Sequence, residues 1–228
     1  MEKKTVLILG ATGLVGGECL TRLLNSDFYN RIVILTRRPL PDYLNHPKTE
    51  QHLIDFDHAD KYQHLIKADH VICTLGTTIR KAGTKENFYK IDFTYPHRIA
   101  SIAQQNRASH FLVVSANGAN PKSPFFYNRV KGELEAAIQK LNYRSVSIFR
   151  PSLLLGEREN FRLGEEIGKF LNRFISFAIS ERYKPVHGGA VADAVLQVAR
   201  KDQAGVRIIE SDEIQAIAKE NRGNFVIF

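Results

Sequence analysis

The chain has 228 residues, 43% of them apolar and 25% charged, the balance of a soluble globular protein, and that length suffices for one α/β domain with a sizeable core. A net charge of +8 and a pI near 9.5 would suit an anionic partner. The basic residues are scattered, however, with short clusters at Arg37-Arg38 and Arg80-Lys81, which argues against a dedicated nucleic-acid binder. The two cysteines, Cys19 and Cys73, sit inside apolar runs, which excludes a disulfide framework and a cysteine metal cluster. The opening Met1-Glu2-Lys3-Lys4 has no signal-like pattern and no apolar run is long enough for a bilayer, so no transmembrane segment and a cytoplasmic location are expected.

The first element is a buried strand over Val6 to Leu9, aliphatic without alternation, as parallel strands covered on both faces are. It stops at Gly10-Ala11-Thr12-Gly13-Leu14-Val15-Gly16, and an apolar stripe at helical spacing runs on to Asn25. Strand, tight turn and helix in that order form a dinucleotide-binding pattern. Gly10 allows the sharp exit, Gly13 lets backbone N–H groups approach a pyrophosphate, and Gly16 lets the helix pack on the strand. The helix N-terminus, with Thr12, Leu14 and Val15, presents partial positive charge to the phosphates. A merely structural turn would use the same glycines.

A second strand, Arg31 to Leu35, ends at Thr36-Arg37-Arg38-Pro39. An acid after this strand would read a free ribose 2′-hydroxyl, whereas arginine reads a 2′-phosphate. Arg37 and Arg38 therefore favour NADP(H), the alternative being a solvated basic loop. Leu40 to Pro47 is a loop, and Gln51 to Ile54 a third strand. Beyond it Asp55 and Phe56 border the adenine position, where Asp55 either accepts from the adenine amino group or caps the polar helix expected over Ala59 to Ala68. The fourth strand, Asp69 to Cys73, exits through Thr74, Leu75, Gly76 and Thr77, small enough to lie against a cofactor. A long loop from Ile79 to Phe88 precedes a helix from Phe93 to Asn106, with Pro96 in its first turn.

The fifth strand, His110 to Val114, ends at Ser115, and after the Pro121 to Pro124 loop a helix opens at Tyr127 and runs through Leu141. Tyr127 and Lys131 are four residues apart and share one helix face. Ser115, Tyr127 and Lys131 thus converge on the carboxyl ends of the strands, where open α/β sheets place ligands. There the Lys131 ammonium eases ionisation of the phenol, Tyr127 serves as acid/base, and Ser115 orients the substrate oxygen. The sixth strand, Arg144 to Phe149, ends at Arg150-Pro151-Ser152. Beyond it come an apolar-faced helix over Gly164 to Ile179, the segment Lys184 to His187, a helix from Val191 to Arg200, a short strand Val206 to Ile209 and a capped helix Ser211 to Lys219. The alternation of strand and helix specifies a single doubly wound, mostly parallel α/β domain: residues 1–150 form the cofactor core and 151–228 the substrate side. No pair of histidines has metal-ligand spacing beside a carboxylate, so no metal is expected and His187 and its counterparts are surface or packing residues.

Over essentially its whole length the chain resembles the short-chain dehydrogenase/reductase superfamily. The Gly10-x-x-Gly13-x-x-Gly16 spacing is that of its extended and atypical branches. Cys73-Thr74-Leu75-Gly76-Thr77-Thr78, Lys81-Ala82-Gly83, Lys131-Gly132-Glu133 and Phe149-Arg150-Pro151 are similar to the atypical group. The resemblance implies a Rossmann core, NADPH binding, Lys131 on the nicotinamide ribose, and Arg150, Pro151 and Ser152 leading into the nicotinamide flank. Two positions depart from the pattern: Asp92, near where extended members carry Asn, and Asn117, where a basic residue is expected. The reading is an NADP(H)-dependent oxidoreductase acting on a small-molecule carbonyl or alcohol, as monomer or homodimer. Its alternative is a cofactor-sensing scaffold with little or no catalysis, since the family includes members with cofactor but no established substrate.

Overall fold

The computed structural model of the chain describes residues 3–41, 46–156 and 180–223. Its frame is a seven-stranded sheet, every neighbouring pair parallel. The strands are β1 (Lys4–Leu9), β2 (Tyr29–Thr36), β3 (Thr49–Leu53), β4 (His70–Cys73), β5 (His110–Val114), β6 (Ser145–Arg150) and, at the far edge, β9 (Gly205–Glu210). Their spatial order β3-β2-β1-β4-β5-β6-β9 reverses direction between β1 and β4, and the crevice outside the carboxyl ends of those two strands is where such sheets bind ligands. A second, two-stranded sheet pairs β7 (Leu154–Leu155) with β8 (Val186–His187).

The helices divide by face, and β1 shows why. Successive side chains point to opposite sides, so Val6 and Ile8 join one core and Leu7 and Leu9 the other. The first core is closed by α1 (Leu14–Leu24), α6 (Gly188–Lys201) and α7 (Ser211–Gly223), through Val15, Leu20, Val191, Val195 and Ile214. The second is closed by α4 (Tyr95–Gln105) and α5 (Phe126–Ile138), through Ile99, Ala103, Leu134 and Ile138. Covered on both faces, β1, β4 and β5 run through buried residues without polar alternation, whereas the edge strands β3 and β9 are largely uncovered.

Several local expectations need correction. The helix expected over Ala59 to Ala68 is a 3-10 segment, Phe56–Leu65, kinked at His58; it begins earlier because Asp55 caps it, accepting from Asp57 N–H at 2.9 Å. The loop expected over Ile79 to Phe88 contains two short helices, α2 (Ile79–Ala82) and α3 (Lys85–Tyr89). Thr78 and Thr84 cap them through Oγ1, accepting from Lys81 and Asn87 N–H at 3.2 and 3.1 Å, and Gly83 separates them at φ +80. The helix expected from Phe93 begins as a π turn over Lys90–Thr94, with Pro96 in the first turn of α4. The helix over Gly164 to Ile179 and part of the Leu40 to Pro47 loop lie outside the described residues.

Candidate cofactor and proton-transfer site

The turn between β1 and α1 is shaped by two glycines. Gly10 has φ +81, and a Cβ there would lie 2.7 Å from the Thr74 carbonyl oxygen. A Cβ on Gly16 would overlap the Gly10 carbonyl and reach 2.5 Å from Thr74 Oγ1. Thr74 is itself fixed on β1, donating from both N and Oγ1 to Leu9 O at 2.9 and 2.7 Å. α1 therefore starts hard against the crevice. Its N-cap, Gly13, offers no side-chain acceptor and its first turn carries no acid, so the positive end of the helix dipole faces out unneutralised. That cradle fits a pyrophosphate. Thr12 is exposed and Val15 buried, while Leu14 points toward Gly156 and Gly188, which leave room for it by lacking side chains.

At the end of β2, Thr36 Oγ1 donates to Arg38 O at 2.8 Å, bending the chain so that Arg37 and Arg38 are exposed. Neither guanidinium is hydrogen-bonded or ion-paired to another described residue. Arg22, Arg31 and Arg150, by contrast, all hold carboxylates. Asp55 is the cap already described, and Phe56 turns into the core against Tyr95, ring centroids 5.5 Å apart. Of the two residues read as bordering adenine, Asp55 spends one oxygen on the backbone and Phe56 leaves only its main chain to a ligand. Leu75, Gly76 and Thr77 follow β4, Gly76 exposed and the other two partly covered.

Lys131 is buried on α5, its side chain 4% exposed, with Nζ 2.7 Å from Oδ1 of the fully buried Asp92. Burial works against the Lys131 charge, but the Asp92 carboxylate and the Tyr127 phenol hold the ammonium above the ordinary lysine range. Tyr127, one turn earlier, is partly exposed and rests on the Phe88 ring at 5.6 Å. Gly76 lies opposite: a Cβ on it would be 3.5 Å from Lys131 Nζ. Burial pushes the neighbouring Cys73 thiol up to about 12, which keeps it neutral and inert.

Ser115 does not stand free beside this pair. Its hydroxyl donates to Glu135, one turn beyond Lys131 on the same helix face. Glu135 is buried and ion-paired with Arg150, Nη2 to Oε2 at 2.5 Å. Arg150 also reaches Glu210 at 3.1 Å, and Arg182 reaches the same carboxylate at 2.8 Å. The expected orientation of a substrate oxygen by Ser115 is thus met by a hydroxyl whose proton is committed elsewhere. Pro151 O accepts from Asn117 N–H at 2.9 Å, and Ser152 Oγ donates to Lys184 O. Asn117 Nδ2 donates to Arg182 O at 3.1 Å, so these residues tie the segment before β8 across the strand ends. Glu135 and Glu210 went unread because their partners lie 15 to 60 residues away.

Two of the histidines share a carboxylate that sequence spacing does not reveal. His70, His110 and Asp202 converge at the opposite, amino-terminal edge of the sheet, with ligand-type atoms within 4.8 Å of one another. The cluster already holds cations: Lys4 Nζ lies 3.1 Å from His70 Nε2 and 2.8 Å from Asp202 Oδ2, and Arg144 reaches Asp202 Oδ1 at 2.5 Å.

The sequence model of the NAD dependent epimerase/dehydratase family matches residues 6–207. Protein HTATIP2 of Rattus norvegicus is 34% identical over 171 residues, 74% of this chain and 70% of that protein. The mitochondrial protein FMP52 of Candida albicans is 34% identical over 226 residues, 94% of this chain and 98% of that one. MoeE5 in complex with UDP-glucuronic acid and NAD superposes with TM-score 0.72 at 18% identity, covering 96% of this chain and 82% of that one. A putative NAD-dependent epimerase/dehydratase from Bacillus halodurans superposes with TM-score 0.68 at 16% identity, covering 95% and 99%. The expected cytoplasmic location is overturned by these relatives, since the FMP52 proteins are named mitochondrial. No described helix is long and apolar enough to cross a membrane. With the family match spanning most of the chain and a parallel Rossmann-type sheet beneath it, this protein is a member of the NAD dependent epimerase/dehydratase family, within the extended short-chain dehydrogenase/reductase superfamily.

Proposed function

We propose that the chain is an NADP(H)-dependent oxidoreductase that interconverts a small-molecule carbonyl and alcohol. The observation that carries this reading is Lys131, a buried ammonium held by Asp92, facing Gly76 across the crevice and lying one helical turn from the partly exposed Tyr127. The glycine turn and open N-terminus of α1 support a pyrophosphate, and the uncommitted Arg37 and Arg38 support a 2′-phosphate. When bound, the nicotinamide supplies or accepts the hydride. Tyr127 gives the carbonyl oxygen its proton, or takes the alcohol proton in the reverse direction. Lys131 holds the ribose hydroxyls and favours the phenolate. Ser115 acts as a positioning residue through Glu135 and Arg150.

NADPH oxidation on a panel of aldehydes, ketones and sugar nucleotides tests the reading. Tyr127→Phe is expected to bind NADPH as tightly as the unmutated chain and to lose turnover by ~10²–10⁴-fold, the range for a positioned acid/base. Lys131→Ala is expected to weaken both. Undiminished turnover in Tyr127→Phe removes that residue from the mechanism. Tight NADPH binding with no turnover on any panel member favours a cofactor-sensing protein instead.

A further inference from the structure

The Ser115 proton is spent on Glu135, so a carbonyl beside Tyr127 lacks from that residue the second donor that would fix its oxygen. The other serine and threonine hydroxyls described where the sheet strands end are largely committed as well. Thr36 Oγ1 donates to Arg38 O at 2.8 Å after β2, and Thr74 Oγ1 to Leu9 O at 2.7 Å after β4. Ser152 Oγ donates to Lys184 O after β6, and Ser211 Oγ to Ser152 Oγ at 3.0 Å after β9. Thr78 Oγ1 accepts from Lys81 N–H at 3.2 Å as the cap of α2.

Thr77 differs from all of these. Among the described residues its Oγ1 has Thr78 O as partner at 3.5 Å, beyond the ~2.5–3.0 Å of a hydroxyl hydrogen bond. The hydroxyl is free while the backbone that carries it is fixed: Thr77 N–H donates to Asp92 Oδ2 at 2.9 Å, and the next residue is the α2 cap. The residue before it, Gly76, brings this loop against Lys131, since a Cβ there would lie 3.5 Å from Nζ. Thr77 is partly covered, as is Tyr127 one turn from Lys131. The loop after β4 and the first turns of α5 thus form two walls around Lys131, with an unspent hydroxyl on one and a phenol on the other.

We propose that Thr77 is the substrate-orienting hydroxyl of this site, its Oγ1–H donating to the same carbonyl oxygen that Tyr127 protonates. The proposal rests on the oxidoreductase reading and adds to it the second donor that Ser115 does not supply. Thr77 keeps its own proton throughout. The new O–H bond of the alcohol is made with the Tyr127 proton, while the Thr77 hydrogen bond stabilises the negative charge that builds on the oxygen beforehand. A donor held in place by the fold does this without reorganising as the reaction proceeds.

Thr77→Val and Thr77→Ser test the assignment. Valine keeps the branched shape and the N–H to Asp92 but removes the donor, whereas serine keeps the donor and loses the methyl group. On the panel carbonyl with the highest kcat/KM, Thr77→Val is expected to lower kcat by ~10²–10³-fold, the cost of deleting one preorganised donor. NADPH affinity by fluorescence titration should be unchanged, and Thr77→Ser should recover most of the turnover. A readout without turnover comes from ¹³C-methyl threonine NMR of the chain loaded with NADP⁺. The Thr77 methyl resonance, assigned by its absence in Thr77→Ser, is expected to shift when that carbonyl is added.

Undiminished kcat in Thr77→Val overturns the proposal and leaves the oxidoreductase reading standing, as does a Thr77→Ser chain as slow as Thr77→Val. A loss of NADPH affinity in Thr77→Val assigns the hydroxyl to the cofactor and overturns the proposal too. Should Thr77→Val fail to fold, Thr77→Ala carries the same comparison, and failure of both makes the residue structural. An unmutated chain that binds NADPH yet reduces no panel member defeats the oxidoreductase reading and the proposal with it.

Discussion

Acidification between pH 6.5 and 5 should destabilise this protein through His70 and His110. Both rings are fully buried, and burial pushes each down to about 4, with Lys4 adding to the effect at His70 and His70 itself adding to it at His110. Asp202 pulls the other way on both, and Arg144 opposes the charge on His110. Each ring has one hydroxyl partner: Tyr29 Oη lies 2.8 Å from His70 Nδ1, and Ser147 Oγ 2.9 Å from His110 Nε2. In the unfolded chain a histidine takes up its proton near ~6.5, so between the two values protons favour unfolding. The stabilisation is full above ~6.5 and is lost as pH falls toward 4. At 1.36 kcal/mol per unit, each ring costs about 2 kcal/mol at pH 5, roughly 4 kcal/mol for the two. That is a large part of a stability of ~5–15 kcal/mol. Urea unfolding at pH 7.5 and 5.0 reads the loss as a midpoint lower by about 1.5 M, given a slope of ~2–3 kcal/mol/M. His70→Gln and His110→Gln should each flatten the dependence, and together nearly remove it. Equal midpoints at the two pH values in the unmutated chain refute the reasoning, as does an undiminished dependence in the double variant.

NADPH is expected to bind more tightly than NADH, with Arg37→Ala removing most of the preference, ~1.5–3 kcal/mol for hydrogen bonds to a charged group; equal dissociation constants in the unmutated chain would sink this. The glycine turn yields a contrast between two positions. A Cβ at Gly13 meets only Gly10 O at 3.2 Å, so Gly13→Val should leave a folded chain that no longer binds NADPH by fluorescence titration, and retained affinity would make the turn structural only. At Gly16 the added carbon overlaps backbone, so Gly16→Ala should lower stability by at least ~2 kcal/mol in urea unfolding; an unshifted midpoint would contradict the close packing of α1 against the Gly10 turn.

Backbone chemistry and periodicity, which act over a few residues, were legible in the chain itself. The aliphatic runs specify strands covered on both faces, and Gly10 and Gly16 specify where α1 must pack on β1. The spacing of Tyr127 and Lys131 specifies a shared helix face. Where local signals were weak, reading failed locally: the threonine caps at Thr78 and Thr84 are single hydrogen bonds, and no periodicity announces a four-residue helix. Side-chain partnership was not legible, because it depends on which distant atoms the packed sheet brings within 3 Å. Ser115 lies at the expected strand end, yet only α5 packing on β5 decides that its proton goes to Glu135. Asp92 reads as a substituted position until the π turn sets it against Lys131, 39 residues on. His70, His110 and Asp202 are spread over more than half the chain. Their union at one edge follows from parallel strands starting together where α6 ends.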